Sequence, residues 1–303
     1  MKPPQFTYHA PATVGDALGL LQEYGDRSKV LAGGQSLFPV LSFRLAAPEN
    51  LIDINKLPGL DTISRTPADT GWRIPALVRQ RQAERSPALA AGAPLLTEAL
   101  AQVAHPQIRN RGTVCGSLAH ADSSAEMPAV MLALDARMTI ASAAGTRVVG
   151  ADDFFVFHMT TAVEPHELLL AVEFDDPAPR TYFSFAEFAP RKGDFCLAGV
   201  AVSATFAADG TVSACRVVAA GVSATPLRLR PVEELITGSA LEPGVLAAAQ
   251  HAASGAVDPA GDVHADAAYR RQLAAVLVRR ALTTVAARAA AGDNPTKENN
   301  HGA

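Results

Sequence analysis

The pattern of apolar and polar positions divides the chain into a mixed succession of helices and strands. "TVGDALGLLQEYG" (13–25) carries apolar residues at helical spacing, with Thr13 as N-cap, Asp16 three residues on and Gly25 as the stop. "KVLAGG" reads as a strand entering a turn, and "NLIDI" (50–54) as a buried strand. "GWRIPAL" (71–77) reads as a third strand, set at a sheet edge because Pro75 has no N–H for a ladder. The N-terminal part of the chain, through "NLIDI", is thus predicted to be a β-α-β unit.

Helical patterns follow over 79–85 and 94–104, and the polar, glycine-bearing stretch 105–124 is predicted as a long loop. "SSAEMPAVMLALDA" predicts a helix opened by a capping box from Ser123 to Glu126. From 136 the pattern turns to strands, in "RMTIAS", "TRVVG" and "ELLLAVEF", and "DDPAPR" (175–180) reads as a domain boundary. Beyond it, two strands flank Asp209-Gly210, a hairpin turn, and the remainder is helical. Residues 292–303 read as a polar tail, and the chain shows no internal repeat.

Composition narrows the classes. With 303 residues, 49% hydrophobic and 18% charged, the chain has material for a packed core in one large domain or two medium ones. A net charge of −4 gives no general attraction to nucleic acid or anionic membrane. No apolar run approaches a bilayer span, and "MKPPQFTYHAP" lacks an apolar signal region. Cys115, Cys196 and Cys215 are widely separated and form no CxxC, so neither a disulfide framework nor a zinc or iron–sulfur site is expected. A reduced, cytoplasmic protein fits this usage.

Three segments could carry chemistry. In "LAGGQSLFPVL" (31–41), Gly33-Gly34 could turn successive backbone N–H groups toward an anion, with Ser36 adding a hydroxyl; a plain strand-to-helix turn is the alternative. The pattern is neither a Rossmann fingerprint nor a Walker loop. In "RNRGTVCGSLAHADSSAE", Gly112 and Gly116 flank a second small-residue segment, followed by His120, Asp122 and Glu126. His120 could equally be structural and Glu126 a capping partner, and no nucleophile–base pair is visible. Two such segments suit a long ligand with phosphates in its middle. The third, "PRKGDF" (190–195), presents Lys192 either to a ligand or to solvent.

Taken together, "LAGGQSLFPVLSFRLAAPENLIDINKLPGL", "HPQIRNRGTVCGSLAHADSSAEMPAVMLALDA", "APRKGDFCLAGVAVSA" and "AAGVSATPLRLRPVEE", in this order, resemble the FAD-binding medium subunit of the molybdopterin dehydrogenases, the carbon monoxide dehydrogenase and xanthine dehydrogenase family. The likeness runs from "KPPQFTYHAPATVGDALGLL" to "YRRQLAAVLVRRAL".

The resemblance implies an α+β fold: a two-lobed FAD-binding domain of the vanillyl-alcohol oxidase type, 1–175 with lobes of 1–57 and 58–175, then a small α/β C-terminal domain, 176–291. It implies that Val30, Leu31, Ala32, Gly33, Gly34, Gln35, Ser36 and Leu37 form one FAD segment. Thr113, Val114, Cys115, Gly116 and Ser117 form the other, with Glu126 reaching the ribityl or flavin region. Val103 and Leu169 are implied apolar cofactor contacts, and Asp122, Lys192 and Asp194 are assigned near the flavin. No residue is assigned as catalytic or as a metal ligand.

Two departures stand out: Cys115 where the family's TxGG has glycine, and Pro75 and Val78 where it commonly has glycine and threonine. A positive φ at 115 would make a side chain costly there. The implied function is electron transfer in a heterotrimeric molybdenum hydroxylase, two trimers forming a dimer. A large subunit holds molybdopterin, a small subunit holds two [2Fe–2S] clusters, and FAD passes electrons to NAD+ or another acceptor. The rival readings are a self-contained FAD oxidoreductase and a flavin-free scaffold subunit.

Overall fold

A computed structural model describes residues 2–292; the predicted tail lies, from 293 on, outside the described residues. The chain divides into two units, each discontinuous in sequence. The first comprises residues up to Ala83, His105–Ala121 and Ala136–Asp175; the second comprises Glu84–Ala104, Asp122–Asp135 and Asp176 onward.

In the first unit, β1 (Thr7–His9), β2 (Ser28–Leu31) and β3 (Asn50–Asp53) form a parallel sheet ordered β1-β3-β2. Parallel neighbours need crossovers, and the helix Leu37–Ser42 lies in the one joining β2 to β3. The helix Val14–Tyr24 starts as its sequence predicts. Thr13 Oγ1 accepts the Asp16 N–H at 3.1 Å, and the Asp16 carboxylate accepts the Thr13 N–H at 3.1 Å. Gly25, at φ +49°, ends it. Ala17, Leu18 and Leu21 turn inward, as do Leu51 and Ile52 of β3.

The same unit holds an antiparallel sheet of β4 (Ser64–Arg65), β5 (Gly71–Pro75), β6 (Arg137–Ser142), β7 (Gly145–Gly150) and β10 (Leu168–Asp175), ordered β4-β5-β10-β6-β7. A small hairpin of β8 (Phe155–Phe157) and β9 (Thr160–Thr161) precedes β10. The expectation that Pro75 marks an edge strand needs correction. β5 is flanked on both sides, but β4 pairs only with Trp72 and Arg73, so Pro75 lies beyond its reach and faces no missing ladder bond on that side.

The predicted loop 105–124 is largely helical. Pro106, with its φ preset, opens the helix Pro106–Arg109, and Thr113 caps the helix Val114–His120. Ala121 ends that helix in the left-handed region at φ +51°. Ser123 is also not the N-cap of the helix that follows. The helix Glu126–Ala133, in the second unit, has Ala125 at its N-cap, while the Asp122 carboxylate accepts the Ser124 N–H at 2.9 Å. The shorter acidic side chain takes the turn ahead of the helix.

The second unit is built on an antiparallel sheet of β11 (Thr181–Phe188), β12 (Ala198–Phe206), β13 (Val212–Ala220) and β14 (Leu227–Arg228) in chain order. Asp209 and Gly210 turn the β12–β13 hairpin, Gly210 at φ +87°. Both faces are covered. Val200, Val202, Val217 and Ala219 join a core with Leu277, Val278 and Leu282 of the long helix Ala267–Ala291. From the other face Arg216 donates to the Leu132 carbonyl at 3.2 Å and pairs with Asp135 at 2.6 Å.

Most buried charge in this unit is paired. Glu233 accepts from Arg228 at 2.6 Å and from the Val217 N–H at 2.9 Å, and Arg270 joins Asp262 at 2.6 Å and the Leu197 carbonyl at 2.8 Å. Glu187, opposite Gly199, differs: its Oε2 is buried with no hydrogen-bond partner, and burial pushes its carboxyl up to about 7. Between the ordinary 4.5 and about 7, the folded chain holds a proton that the unfolded chain has lost. Stability conferred by this group is therefore full at low pH and falls as pH rises through that window. We expect Glu187→Gln to abolish this slope and to stabilise the chain above pH 7 by on the order of 1 kcal/mol, after allowance for partial exposure. Urea unfolding at pH 5 and pH 8 measures both effects.

Candidate functional site

The two glycine-bearing segments meet in the first unit. β2 ends at Leu31, and the chain turns through Ala32-Gly33-Gly34 into the helix at Leu37. A Cβ on Gly33 would stand 2.4 Å from the Arg111 carbonyl oxygen and 2.7 Å from Gly112 Cα, so the two main chains touch directly. Gly34 has φ +72°, and its Cβ would meet the Phe38 ring at 2.7 Å. Gly112 is constrained as well. Its Cβ would stand 2.7 Å from Gln80 Oε1, a buried oxygen with no hydrogen-bond partner.

This packing leaves donors unspent. Among the described hydrogen bonds, the backbone N–H groups of Gly33, Gly34, Gln35 and Ser36 donate to no acceptor, and the Ser36 hydroxyl caps nothing. Across the contact, Thr113 Oγ1 accepts the Gly116 N–H at 2.9 Å, whereas the N–H groups of Thr113 and Cys115 and the Ser117 hydroxyl have no partner there. Clustered, unpaired main-chain donors are the chemistry an anion needs. The residues present therefore fit the pyrophosphate of a dinucleotide.

Cys115 fits without strain. It lies within a helix rather than at positive φ, is 2% exposed, and directs Sγ to the Ile74 carbonyl of β5 at 3.4 Å. Burial pushes the thiol up to about 12. The side chain that replaces a glycine is thus spent on the core, and the N–H at 115 stays available.

Five hydrogen bonds that sequence reasoning does not reveal tie the segments to each other and to the chain around Arg79. Asn55 donates Nδ2 to the Ala32 carbonyl at 2.7 Å. Arg79 donates Nη2 to Asn55 Oδ1 at 2.7 Å and Nη1 to the Arg111 carbonyl at 2.5 Å. The Gln80 N–H donates to the Gly112 carbonyl at 2.8 Å, and the Val114 N–H to the Val78 carbonyl at 3.1 Å. Only the "RQRQ" stretch, a basic run at a helix start, hinted at them.

The remaining predicted residues divide between the units. Leu169 is buried in the first unit at the start of β10, beside a bulge whose Leu170 carbonyl accepts the Ala76 N–H at 2.8 Å. Val103, Asp122 and Glu126 belong to the second unit and are buried, Glu126 at the first turn of its helix. Lys192 and Asp194 are exposed on the segment between β11 and β12, where the Asp194 N–H donates to the Arg191 carbonyl. Among the described residues no group of three or more His, Cys, Asp or Glu is placed to hold a metal ion, and no helix is long and apolar enough to cross a membrane.

Comparison with known proteins finds relatives along nearly the whole chain. Residues 4–177 match the FAD binding domain in molybdopterin dehydrogenase, and residues 183–285 match the CO dehydrogenase flavoprotein C-terminal domain. The chain is 41% identical, over 98% of its length and 99% of the relative's, to the 6-hydroxypseudooxynicotine dehydrogenase complex subunit alpha of Paenarthrobacter nicotinovorans. It is 38% identical to the nicotine 6-hydroxylase medium subunit of the same organism, over 95% of this chain and 100% of that one. A solved chain of carbon monoxide dehydrogenase from Hydrogenophaga pseudoflava superposes with a TM-score of 0.91 at 37% identity, covering 95% of this chain and 99% of that one.

Two consequences are measurable. Gly33→Ala forces a methyl group onto main-chain atoms that cannot swing aside, and a loss of about 1–3 kcal/mol is expected by thermal unfolding. Because Cys115 is buried and its thiol held protonated, iodoacetamide at pH 8 should leave it unmodified in the folded chain and label it after denaturation, as read by peptide mass spectrometry.

Proposed function

This chain belongs to the FAD-binding medium subunits of the molybdenum hydroxylase-type dehydrogenases, and from that premise we propose that it is the electron outlet of such a complex. The observation that carries this reading is the pair of glycine-bearing segments, pressed main chain to main chain, with unpaired N–H groups on both. Bound FAD would exchange single electrons with [2Fe–2S] clusters of a small partner subunit and electron pairs with NAD+ or another acceptor. The substrate would be hydroxylated in a separate large subunit carrying molybdopterin, and two such trimers would associate.

In this reading the chain itself binds and orients. Val30 to Leu37 and Thr113 to Ser117 hold the pyrophosphate, mainly through main-chain N–H groups and the hydroxyls of Ser36 and Ser117. Leu169 and Val103 supply apolar contact. Glu126, with Asp122, Lys192 and Asp194, is assigned to the ribityl and flavin end on family resemblance. We set the domain boundary at 175/176, with N-terminal lobes of 1–57 and 58–175 and a C-terminal domain of 176–291. Three free thiols, two of them buried, suit the reducing cytoplasm.

The visible spectrum of the purified chain tests the proposal. We expect flavin bands and, after release and chromatography, about one FAD per chain, the stoichiometry of a single pyrophosphate cradle. A colourless chain that takes up no added FAD would leave only a scaffold role. Turnover of an organic substrate by the isolated chain would instead point to a self-contained oxidoreductase.

A further inference from the structure

We propose that Arg79 and Asn55 act as one positioning brace that sets the spacing of the two FAD segments, so that FAD affinity depends on side chains outside both segments. The inference deepens the FAD reading and rests on it.

The two segments come from distant parts of the chain, and little main-chain hydrogen bonding joins them directly. Their contact at Gly33 is a van der Waals approach to the Arg111 carbonyl and Gly112 Cα. Such a contact resists compression strongly but separation only weakly, by small dispersion forces. Attraction is supplied from the side. Asn55 is anchored by its own N–H, which donates to Asp53 Oδ1 at 2.9 Å, and reaches the Ala32 carbonyl, one residue before Gly33. Arg79 links that amide to the Arg111 carbonyl, the very oxygen that abuts Gly33. One planar guanidinium therefore spans from the first segment's clamp to the second segment's main chain. Arginine suits this because its N–H groups are fixed in a fork, whereas a lysine ammonium is a single point on a flexible stem.

The brace also brings charge. Arg79 is half-buried, and burial, together with the neighbouring Arg111 charge, makes its cationic form costlier than usual. A pyrophosphate beside the two segments would offset that repulsion, so anion binding and brace formation support one another. Arg79 and Asn55 are positioning residues: neither needs to touch the flavin.

The test is FAD affinity of the purified full-length chain, followed by quenching of FAD fluorescence, with ADP as a competing ligand that carries the pyrophosphate without the flavin ring. We expect Arg79→Ala to weaken both FAD and ADP by about tenfold or more, as loss of a charge-assisted hydrogen bond would. Arg79→Lys should fail to restore affinity. The double variant with Asn55→Ala should be no weaker than the worse single variant, because the two residues form one link. Asn55→Asp keeps a partner for Arg79 while deleting the donor to Ala32. The same Asn55 Nδ2 also donates to Asp53 Oδ1 at 2.6 Å, so the apo melting temperature is expected to fall. FAD should weaken at a temperature where circular dichroism shows the variant folded, which separates positioning from folding. Wild-type affinity in Arg79→Ala or Asn55→Asp, full rescue by lysine, or additive losses in the double variant would overturn the brace while leaving the FAD reading intact. A wild-type chain that binds no FAD would overturn both.

Discussion

The absence of a Cβ at Gly33 is the condition on which the first unit's candidate site rests. With the Arg111 carbonyl 2.4 Å from the point a methyl group would occupy, two main-chain segments some eighty residues apart in sequence approach as closely as atoms allow. A side chain there would separate them, and with them the N–H groups of 33–36 from those of 113 and 115. Several features serve this contact. Gly34 turns the chain at φ +72°, Gly112 leaves room for Gln80, and Thr113 caps the helix that presents the second set of donors. The site is made of main chain, so the side chains around it act chiefly by holding that main chain in place.

The proposed role makes modest chemical demands on the chain. Under that proposal the chain would hold FAD and pass charge, with no acid–base pair required for an organic substrate. The chain's cysteines are used accordingly. Cys115 packs against β5, Cys196 donates to the Ser124 carbonyl at 3.2 Å, and Cys215 donates to the Glu233 carbonyl at 3.6 Å. Burial raises all three thiols, which suits packing rather than nucleophilic or ligating roles. Cys115 shows how a family glycine is replaced at no cost to the donors: the position is helical, and the helix turns its side chain into the core.

Local signals carried most of the secondary structure. The Thr13–Asp16 capping box, the Gly25 stop, the Asp209-Gly210 hairpin and the apolar runs of β3, β6, β10 and β12 act over a few residues, so their sequence pattern suffices. The failures occurred where two local solutions competed. At 122–126 the helix starts at Glu126, later than a cap at Ser123 would put it, and the Asp122 carboxylate accepts the Ser124 N–H in the turn ahead of it. At 105–124, polarity and glycine masked two short helices whose apolar faces, Val114, Cys115 and Leu118 in the second, are brief. Pro75 has no N–H to donate, but β4 pairs only with Trp72 and Arg73, so Pro75 needs no edge strand.

The sequence by itself determined which residues could form the cradle: small residues and hydroxyls in two segments, in an order that resembles the FAD subunits. It could do so because glycine pairs and capping residues reveal their main-chain conformations locally. Tertiary structure alone decided that Gly33 meets Arg111, that Cys115 points away from the donors, and that Asn55 and Arg79 join the segments. Each of these depends on contacts across twenty to eighty residues of chain, set by the packing of β2, β3 and β5 with the helix at 114, and distances of that kind leave no trace in local spacing.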